Sequence, residues 1–154
     1  MVLTLDLPKP PNPVGAYEAV VIRRGVGMVS GQFPLRDGKL IATGRVGAEL
    51  SLAEGREAAQ VAALNVLAQI QKHTANFESL DGLLRLECYV ASADGFYHQP
   101  QVLDAASELF VGYLGNKGQH TRTAVSVHQL PLNSPIELVV SFACRPNHWH
   151  TAID

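Results

Sequence analysis

The stretch SLAEGREAAQVAALNVLAQIQKH, residues 51–73, decides the fold class. It opens with a capping box, because Ser51 can accept a hydrogen bond from a first-turn N–H while Glu54 reaches back to the Ser51 N–H. The apolar residues behind this box recur at helical spacing and are Ala59, Ala62, Ala63, Val66, Leu67 and Ile70. They predict a helix to about His73 whose alanine-rich face lies close against a sheet. Asn65 stands among them, and we expect its side chain to be buried and bonded to backbone.

Runs of β-prone residues lie on both sides of this helix. Before it, YEAVVIRR (17–24) and VGMVSG (26–31) predict an antiparallel hairpin. A second turn at Asp37 and Gly38 is followed by LIATG (40–44), which predicts a short third strand. After the helix, the pattern predicts a strand over 84–92, an amphipathic helix over 102–113, and two strands that begin at Arg122 and Ile136.

This order of strand, strand, helix, strand, helix, strand, strand predicts an α+β fold of two layers. A mixed sheet would carry both helices on one face. The other face would then have no helix over it, and the simplest cover is another copy of the same sheet. Charged residues make up 17% of the chain, a low share that agrees with surface lost to self-association.

Length and composition narrow the class of protein. A chain of 154 residues fits one domain, here 1–154, with a proline-rich arm over 1–13 and a tail over 145–154. The net charge of −2 gives no net-basic footprint for nucleic acid, and no apolar run is long enough to span a membrane. We expect no secretory leader at the start. Cys88 and Cys144 lie far apart without CxxC spacing, so we expect reduced thiols, no structural zinc and a cytoplasmic location.

Arg122 and Glu137 are the two candidates for chemistry. Arg122 opens a predicted strand, and its fork of donors matches a carboxylate or phosphate. For this residue taken alone, a surface or ion-paired arginine is the favoured interpretation. Glu137 stands in the apolar run IELVV, where a carboxylate either faces solvent, pairs with a cation, or moves a proton. If residues 131–134 form a hairpin loop, His128 lies opposite Glu137 and Arg122 lies roughly 20 Å away. Either the two strands are not hairpin neighbours, or a shared site closes between subunits.

Other candidates have simpler explanations beside the functional ones. Ser30 and Gly31 end a strand where backbone can approach a ligand, or form an ordinary tight turn. Tyr17 follows Gly15 and needs no function if half-buried in a sheet. The histidines near the C-terminus, HWH (148–150), lack a carboxylate partner, so we expect no metal site there. The sequence contains no HExxH, P-loop, GxGxxG or GxSxG pattern.

Three stretches carry a family resemblance: PVGAY (13–17), VSGQFPL (29–35) and RTAVSVHQLP…IEL (122–138). Together and in this order they resemble the RidA family, also called the YjgF/YER057c/UK114 family and formerly labelled endoribonuclease L-PSP. The match is to a longer branch that keeps the arginine. It implies a chorismate-mutase-like fold and a homotrimer with sites between subunits. It also implies hydrolytic deamination of reactive 2-iminoacids or their enamine tautomers to 2-oxoacids and ammonia, without metal or organic cofactor.

The resemblance also implies roles for single residues. Arg122 would bind the substrate carboxylate, and Glu137 would activate the attacking water together with the Ala124 carbonyl. Further positions would line the ligand, and they are Tyr17, Ser30 and Gly31. Leu103 aligns with a pocket asparagine of many deaminases in the family, and His120 stands where proline or alanine is usual.

Several functions therefore remain open at the level of sequence. The first is the imine deaminase, which the presence of both Arg122 and Glu137 favours. The second is a non-catalytic trimer that binds or senses small carboxylates, which Leu103 in the pocket favours. The third, RNA cleavage or translation inhibition, is disfavoured by the acidic balance. Chorismate mutase activity would rest on fold analogy alone.

Overall fold

The helices and strands follow the predicted order in the computed structural model, which describes residues 5–146. The elements are β1 (Val20–Arg23), β2 (Val26–Gln32), β3 (Leu35–Arg36), β4 (Lys39–Leu40), α1 (Leu52–His73), β5 (Leu80–Ala91), α2 (Gln99–Leu114), β6 (Thr121–Val127) and β7 (Ile136–Cys144). Short 3₁₀ turns at Gly115–Gly118 and Pro131–Asn133 follow α2 and β6. The predicted third strand, 40–44, is wrong beyond Leu40, because the tight turn at Asp37 and Gly38 pairs only two residues on each side.

The five-stranded sheet has the order β1-β2-β7-β5-β6. β5 and β6 are parallel and the other pairs are antiparallel, which confirms a mixed sheet. The hairpin considered for the last two strands is wrong, since β5 lies between β6 and β7. The physical reason is the crossover through α2, which places β6 parallel to β5 on one edge and leaves the other edge of β5 for β7.

Both helices pack on one face of this sheet, so the predicted α+β fold of two layers is confirmed. The core between them is dominated by fully buried apolar side chains, among them Phe110, Phe142, Leu67, Ile70, Leu86 and Leu138. α1 begins with the predicted capping box, in which the Glu54 N–H donates to Ser51 Oγ over 3.1 Å. Asn65 is buried, and its amide donates to the carbonyls of Phe33 (3.0 Å) and Leu35 (2.9 Å).

The opposite face of the sheet has no helix over it within residues 5–146. Val26, Met28 and Val125 lie there with 44%, 55% and 41% of their surface exposed. We call this surface the open face. The same register places Glu137 on it, beside Tyr89.

Three remaining expectations concern the arm, the cysteines and membrane insertion. The proline-rich arm runs without helix or strand and is bound to α1, where the Gln69 amide donates to the Pro11 carbonyl over 2.7 Å. Cys88 and Cys144 are both free thiols, as predicted. None of the helices between residues 5 and 146 has the length and apolarity needed to cross a bilayer.

Candidate active site

The predicted site residues fall into two separate clusters. The first, called the Arg122 cluster, contains Arg122, His120 and two residues of α2, Asp104 and Ser107. The second, called the Glu137 cluster, contains Glu137, Gly31, Ser30 and Tyr17. The clusters lie on different strands, and each has its own geometry.

Arg122 points toward the helices from the edge strand of the sheet. It is in register with Leu86, which is fully buried on the helix-bearing face. α2 passes over this edge, so the guanidinium meets it directly. Arg122 Nη2 lies 2.7 Å from Asp104 Oδ1, and Arg122 Nη1 donates to Ser107 Oγ over 3.1 Å. The Arg122 side chain keeps 31% of its surface exposed, so some of its donors remain available to a ligand.

His120 continues this polar chain. Its Nε2 lies 2.9 Å from Ser107 Oγ, and its Nδ1 lies 2.6 Å from the Gly118 carbonyl oxygen. The ring also packs edge-on against Phe110, with 5.9 Å between ring centroids. Both ring nitrogens are therefore engaged, and the imidazole has one defined orientation.

An open cavity of about 360 Å³ adjoins the Arg122 cluster, and its lining comprises Ser107, Val111, Gln119, His120 and Arg122. Asp104 and Ser107 were not among the residues chosen from sequence. Their spacing of three residues on α2 places both on one helix face, and this polar stripe is the signal that could have found them.

The expected place of Leu103 in the pocket is wrong. Leu103 is fully buried in the core between α2 and the sheet. One residue along an α-helix turns the side chain by about 100°, so Asp104 faces the guanidinium while Leu103 faces the core. Ala124, two residues after Arg122 on the same side of β6, is half-buried against that core.

Glu137 is held against a glycine on the neighbouring strand. β2 and β7 pair regularly at Val29 and again at Gln32, with an irregularity between them that contains Gly31. A Cβ atom on Gly31 would lie only 1.9 Å from Glu137 Oε1. Position 31 therefore accepts a side chain only if the Glu137 carboxylate moves.

The Glu137 carboxylate is half-buried, and this desolvation raises its pKa above the ordinary value. Within residues 5–146 it forms no hydrogen bond or ion pair. Glu137 therefore faces the open side of the sheet, partly exposed, and pairs with no cation in this part of the chain.

The structure brings Tyr17, Ser30 and Gly31 together around one narrow cavity that the N-terminal arm also lines. Ser30 is fixed by two bonds to the segment before β1, since its Oγ donates to the Glu18 carbonyl (2.7 Å) and its N–H donates to the Ala19 carbonyl (2.9 Å). Tyr17 is 49% exposed at the mouth of this cavity.

Arg122 and Glu137 lie on opposite faces of the sheet. Glu137 is in register with Tyr89, and Tyr89 with Val125, whereas Arg122 lies three residues before Val125 on β6. Three residues along one strand and two strand spacings across the sheet put the two α-carbons about 14 Å apart. One chain therefore does not bring both side chains to the same small ligand.

No group of three or more His, Cys, Asp or Glu side chains placed to hold a metal ion occurs between residues 5 and 146. The HWH stretch, 148–150, lies outside the described residues.

Comparison with known proteins identifies the family. Residues 1–144 match the family described as "YjgF/chorismate mutase-like, putative endoribonuclease". The chain belongs to this YjgF family. The resemblance to RidA proteins drawn from the sequence is thereby confirmed.

Individual relatives of this YjgF-family chain agree with the assignment. Protein TCP17 of Trypanosoma cruzi is 34% identical over 137 residues, which cover 88% of this chain and 86% of the relative. A solved structure from Shewanella oneidensis, named as a putative endoribonuclease, is 32% identical with a TM-score of 0.87, covering 90% and 92% of the two chains. A protein of unknown function from Agrobacterium tumefaciens is also 32% identical, with a TM-score of 0.81 and coverage of 83% and 82%.

Proposed function

We propose that this chain hydrolyses reactive 2-iminoacids, or their enamine tautomers, to 2-oxoacids and ammonia. The sites would lie between the subunits of a homotrimer. The observation that carries the proposal is the placement of Arg122 and Glu137 on opposite faces of one sheet, with a half-buried Glu137 carboxylate that has no partner among residues 5–146. Family membership supports the same activity without specifying it.

The assembly follows from this placement. The open face carries exposed Val26, Met28 and Val125, which a neighbouring subunit would cover. If the neighbour brings its Arg122 edge to the Glu137 surface, two different surfaces meet. Repeated around a closed ring, such a head-to-tail contact gives a cyclic oligomer, for which the family resemblance implies three subunits.

In the proposed reaction, Arg122 binds the substrate carboxylate through charge-assisted hydrogen bonds. The iminium carbon is already electrophilic, so water positioned by Glu137 and the Ala124 carbonyl adds to it while Glu137 takes a proton from that water. The nitrogen of the resulting carbinolamine then takes the proton from Glu137 and leaves as ammonia, while the Glu137 carboxylate takes the hydroxyl proton and the carbonyl of the 2-oxoacid forms. Ammonia takes this last proton and departs as ammonium, which returns Glu137 to its starting state. The remaining residues would line the ligand, and they are Tyr17, Ser30, Gly31 and His120.

A second candidate is a non-catalytic trimer that binds or senses small carboxylates. The Arg122 cluster and its adjoining cavity favour it, because this arrangement can bind a carboxylate without any contribution from Glu137. RNA cleavage, suggested by the names of relatives, is less well supported because the net charge is −2. We propose a cytoplasmic protein without nucleic-acid, membrane or cofactor partners.

An oxidase-coupled assay tests the proposal. An amino-acid oxidase generates 2-iminoacids in the presence of semicarbazide, and hydrolysis by the protein lowers the semicarbazone signal. We expect hydrolysis by the wild type and none above background with Arg122→Ala. The matched control is Ser126→Ala, on the same face of β6 but outside the Arg122 cluster. A trimer that accelerates no hydrolysis yet binds pyruvate would favour the second candidate instead.

A further inference from the structure

The side chains that surround Arg122 form a continuous chain of hydrogen bonds anchored in the fold. We propose that Ser107 and His120 are positioning residues, which hold the Arg122 guanidinium so that it presents free N–H donors to a monocarboxylate ligand. The proposal deepens the function proposed above and rests on it.

When His120 is neutral, the hydrogen bonds from Gly118 through His120 and Ser107 to Arg122 allow one consistent assignment of donors and acceptors. A carbonyl oxygen only accepts, so the contact with Gly118 requires the hydrogen on His120 Nδ1. Nε2 is then an acceptor, and the Ser107 hydroxyl donates to it. The Ser107 oxygen in turn accepts from Arg122 Nη1. The order of these bonds therefore predicts the tautomer of His120.

The Gly118 end of this series of hydrogen bonds is held by close packing against α2. Gly118 sits so close to α2 that a Cβ atom there would lie 2.2 Å from the Phe110 carbonyl oxygen. Phe110 is fully buried and also contacts the edge of the His120 ring. The position of Ser107 Oγ is therefore fixed from two sides, by α2 itself and by an imidazole packed on the core.

Asp104 shows why such positioning matters. Its Oδ1 lies 2.7 Å from Arg122 Nη2, and an arginine free to turn would meet this carboxylate with two parallel bonds. The bond from Nη1 to Ser107 Oγ opposes that rotation. The guanidinium thus keeps donors for an incoming carboxylate beside a resident anion.

The test compares Ser107→Ala, Ser107→Thr and the Ser126→Ala control in the oxidase-coupled assay. Calorimetry with pyruvate measures carboxylate binding directly. We expect Ser107→Ala to raise KM and the pyruvate Kd roughly tenfold while kcat stays within about twofold, because the carboxylate is bound equally in ground and transition states. Ser107→Thr, which keeps the hydroxyl, should restore both constants.

Nitrogen NMR of the His120 ring gives a readout that is independent of turnover. We expect the Nδ1–H tautomer in the neutral form and a shift of the Nε2 resonance in Ser107→Ala. An active wild type whose KM and Kd are unchanged by Ser107→Ala, or an Nε2–H tautomer, would overturn the positioning role alone. A wild type that neither hydrolyses iminoacids nor binds pyruvate would overturn the proposed function together with it.

Discussion

The Arg122 cluster and the Glu137 cluster are built by opposite means. Arg122 is held by side chains of its own chain, with Asp104 and Ser107 reaching it from α2. Glu137 is placed by the close approach of a glycine backbone and has no hydrogen-bond partner within residues 5–146. The first cluster is completed by side chains of its own chain, whereas the second is a half-buried carboxylate without a partner in this part of the chain. This difference, together with the position of the two clusters on opposite faces of the sheet, separates Arg122 from Glu137 within one chain.

The largest expected effect is complementation between two inactive variants. Arg122→Ala and Glu137→Gln should each lose at least about a hundredfold in kcat/KM. Trimers formed from an equal mixture should recover about a quarter of wild-type activity, because a site built from two neighbours is intact when each supplies the residue that the other lacks. Mixing after unfolding and refolding, followed by the oxidase-coupled assay, measures this recovery. A mixture as inactive as its components would mean that both residues act in a site of one protomer. It would contradict the separation of the Arg122 cluster from the Glu137 cluster.

A second prediction uses one added methyl group to disturb the Glu137 cluster without touching the Arg122 cluster. Gly31→Ala should lower kcat about a hundredfold, since the new Cβ displaces the Glu137 carboxylate by an ångström or more. The pyruvate Kd should change less than about threefold, because the Arg122 cluster is untouched. Steady-state kinetics and calorimetry supply the two values. In a Glu137→Gln background the same substitution should cost little more, and a full second hundredfold loss there would contradict this explanation.

A third prediction concerns the resident anion of the Arg122 cluster. Asp104→Asn removes a charge that competes with the ligand carboxylate for the guanidinium, so the pyruvate Kd should fall roughly threefold to fivefold. Glu108→Gln, one turn further along α2 and paired with Arg56 rather than Arg122, is the matched control. Weaker binding by Asp104→Asn would mean that Asp104 orients the arginine and does not compete for it.

Local features of this fold were predictable from sequence, whereas the arrangement of its strands was not. The capping box at Ser51 and the buried Asn65 depend on neighbours within a few residues, and both predictions are confirmed. The neighbours of β6 depend on a crossover of about thirty residues, and the sequence left open whether β6 and β7 form a hairpin through residues 131–134, which they do not. The short sequence separation of β6 and β7 does not indicate that β5 lies between them.

The candidate site shows the same limit at the scale of one residue. Arg122 and Glu137 were recognisable because charged side chains are unusual near the start of strands that consist mostly of apolar residues. The partners of Arg122 did not, since Asp104 and Ser107 matter only once α2 lies over β6. Leu103 was placed by alignment one position away from the side chain that reaches the guanidinium, and the helical rotation of about 100° per residue put it in the core instead.

The smallest expected effect is a pH dependence of assembly that arises from Glu137. In the single chain, desolvation raises the pKa of this carboxyl. A neighbour's Arg122 would lower that pKa, so the assembled form binds fewer protons than the free subunit and assembly releases protons. Association should therefore strengthen as pH rises through the two pKa values and weaken in acid, by at most about 1 kcal/mol per contact for a partly exposed pair.

Sedimentation velocity between neutral and acidic pH measures this dependence, and Glu137→Gln provides the control because it carries no titrating proton. We expect the wild type to dissociate more readily in acid, with a slope that the glutamine variant lacks. Equal slopes in the two proteins would mean that Glu137 does not meet a cation across the interface. The carboxylate would then remain without a cation partner in the assembly, as it is within residues 5–146 of the single chain, and Arg122 and Glu137 of neighbouring subunits would not share one site.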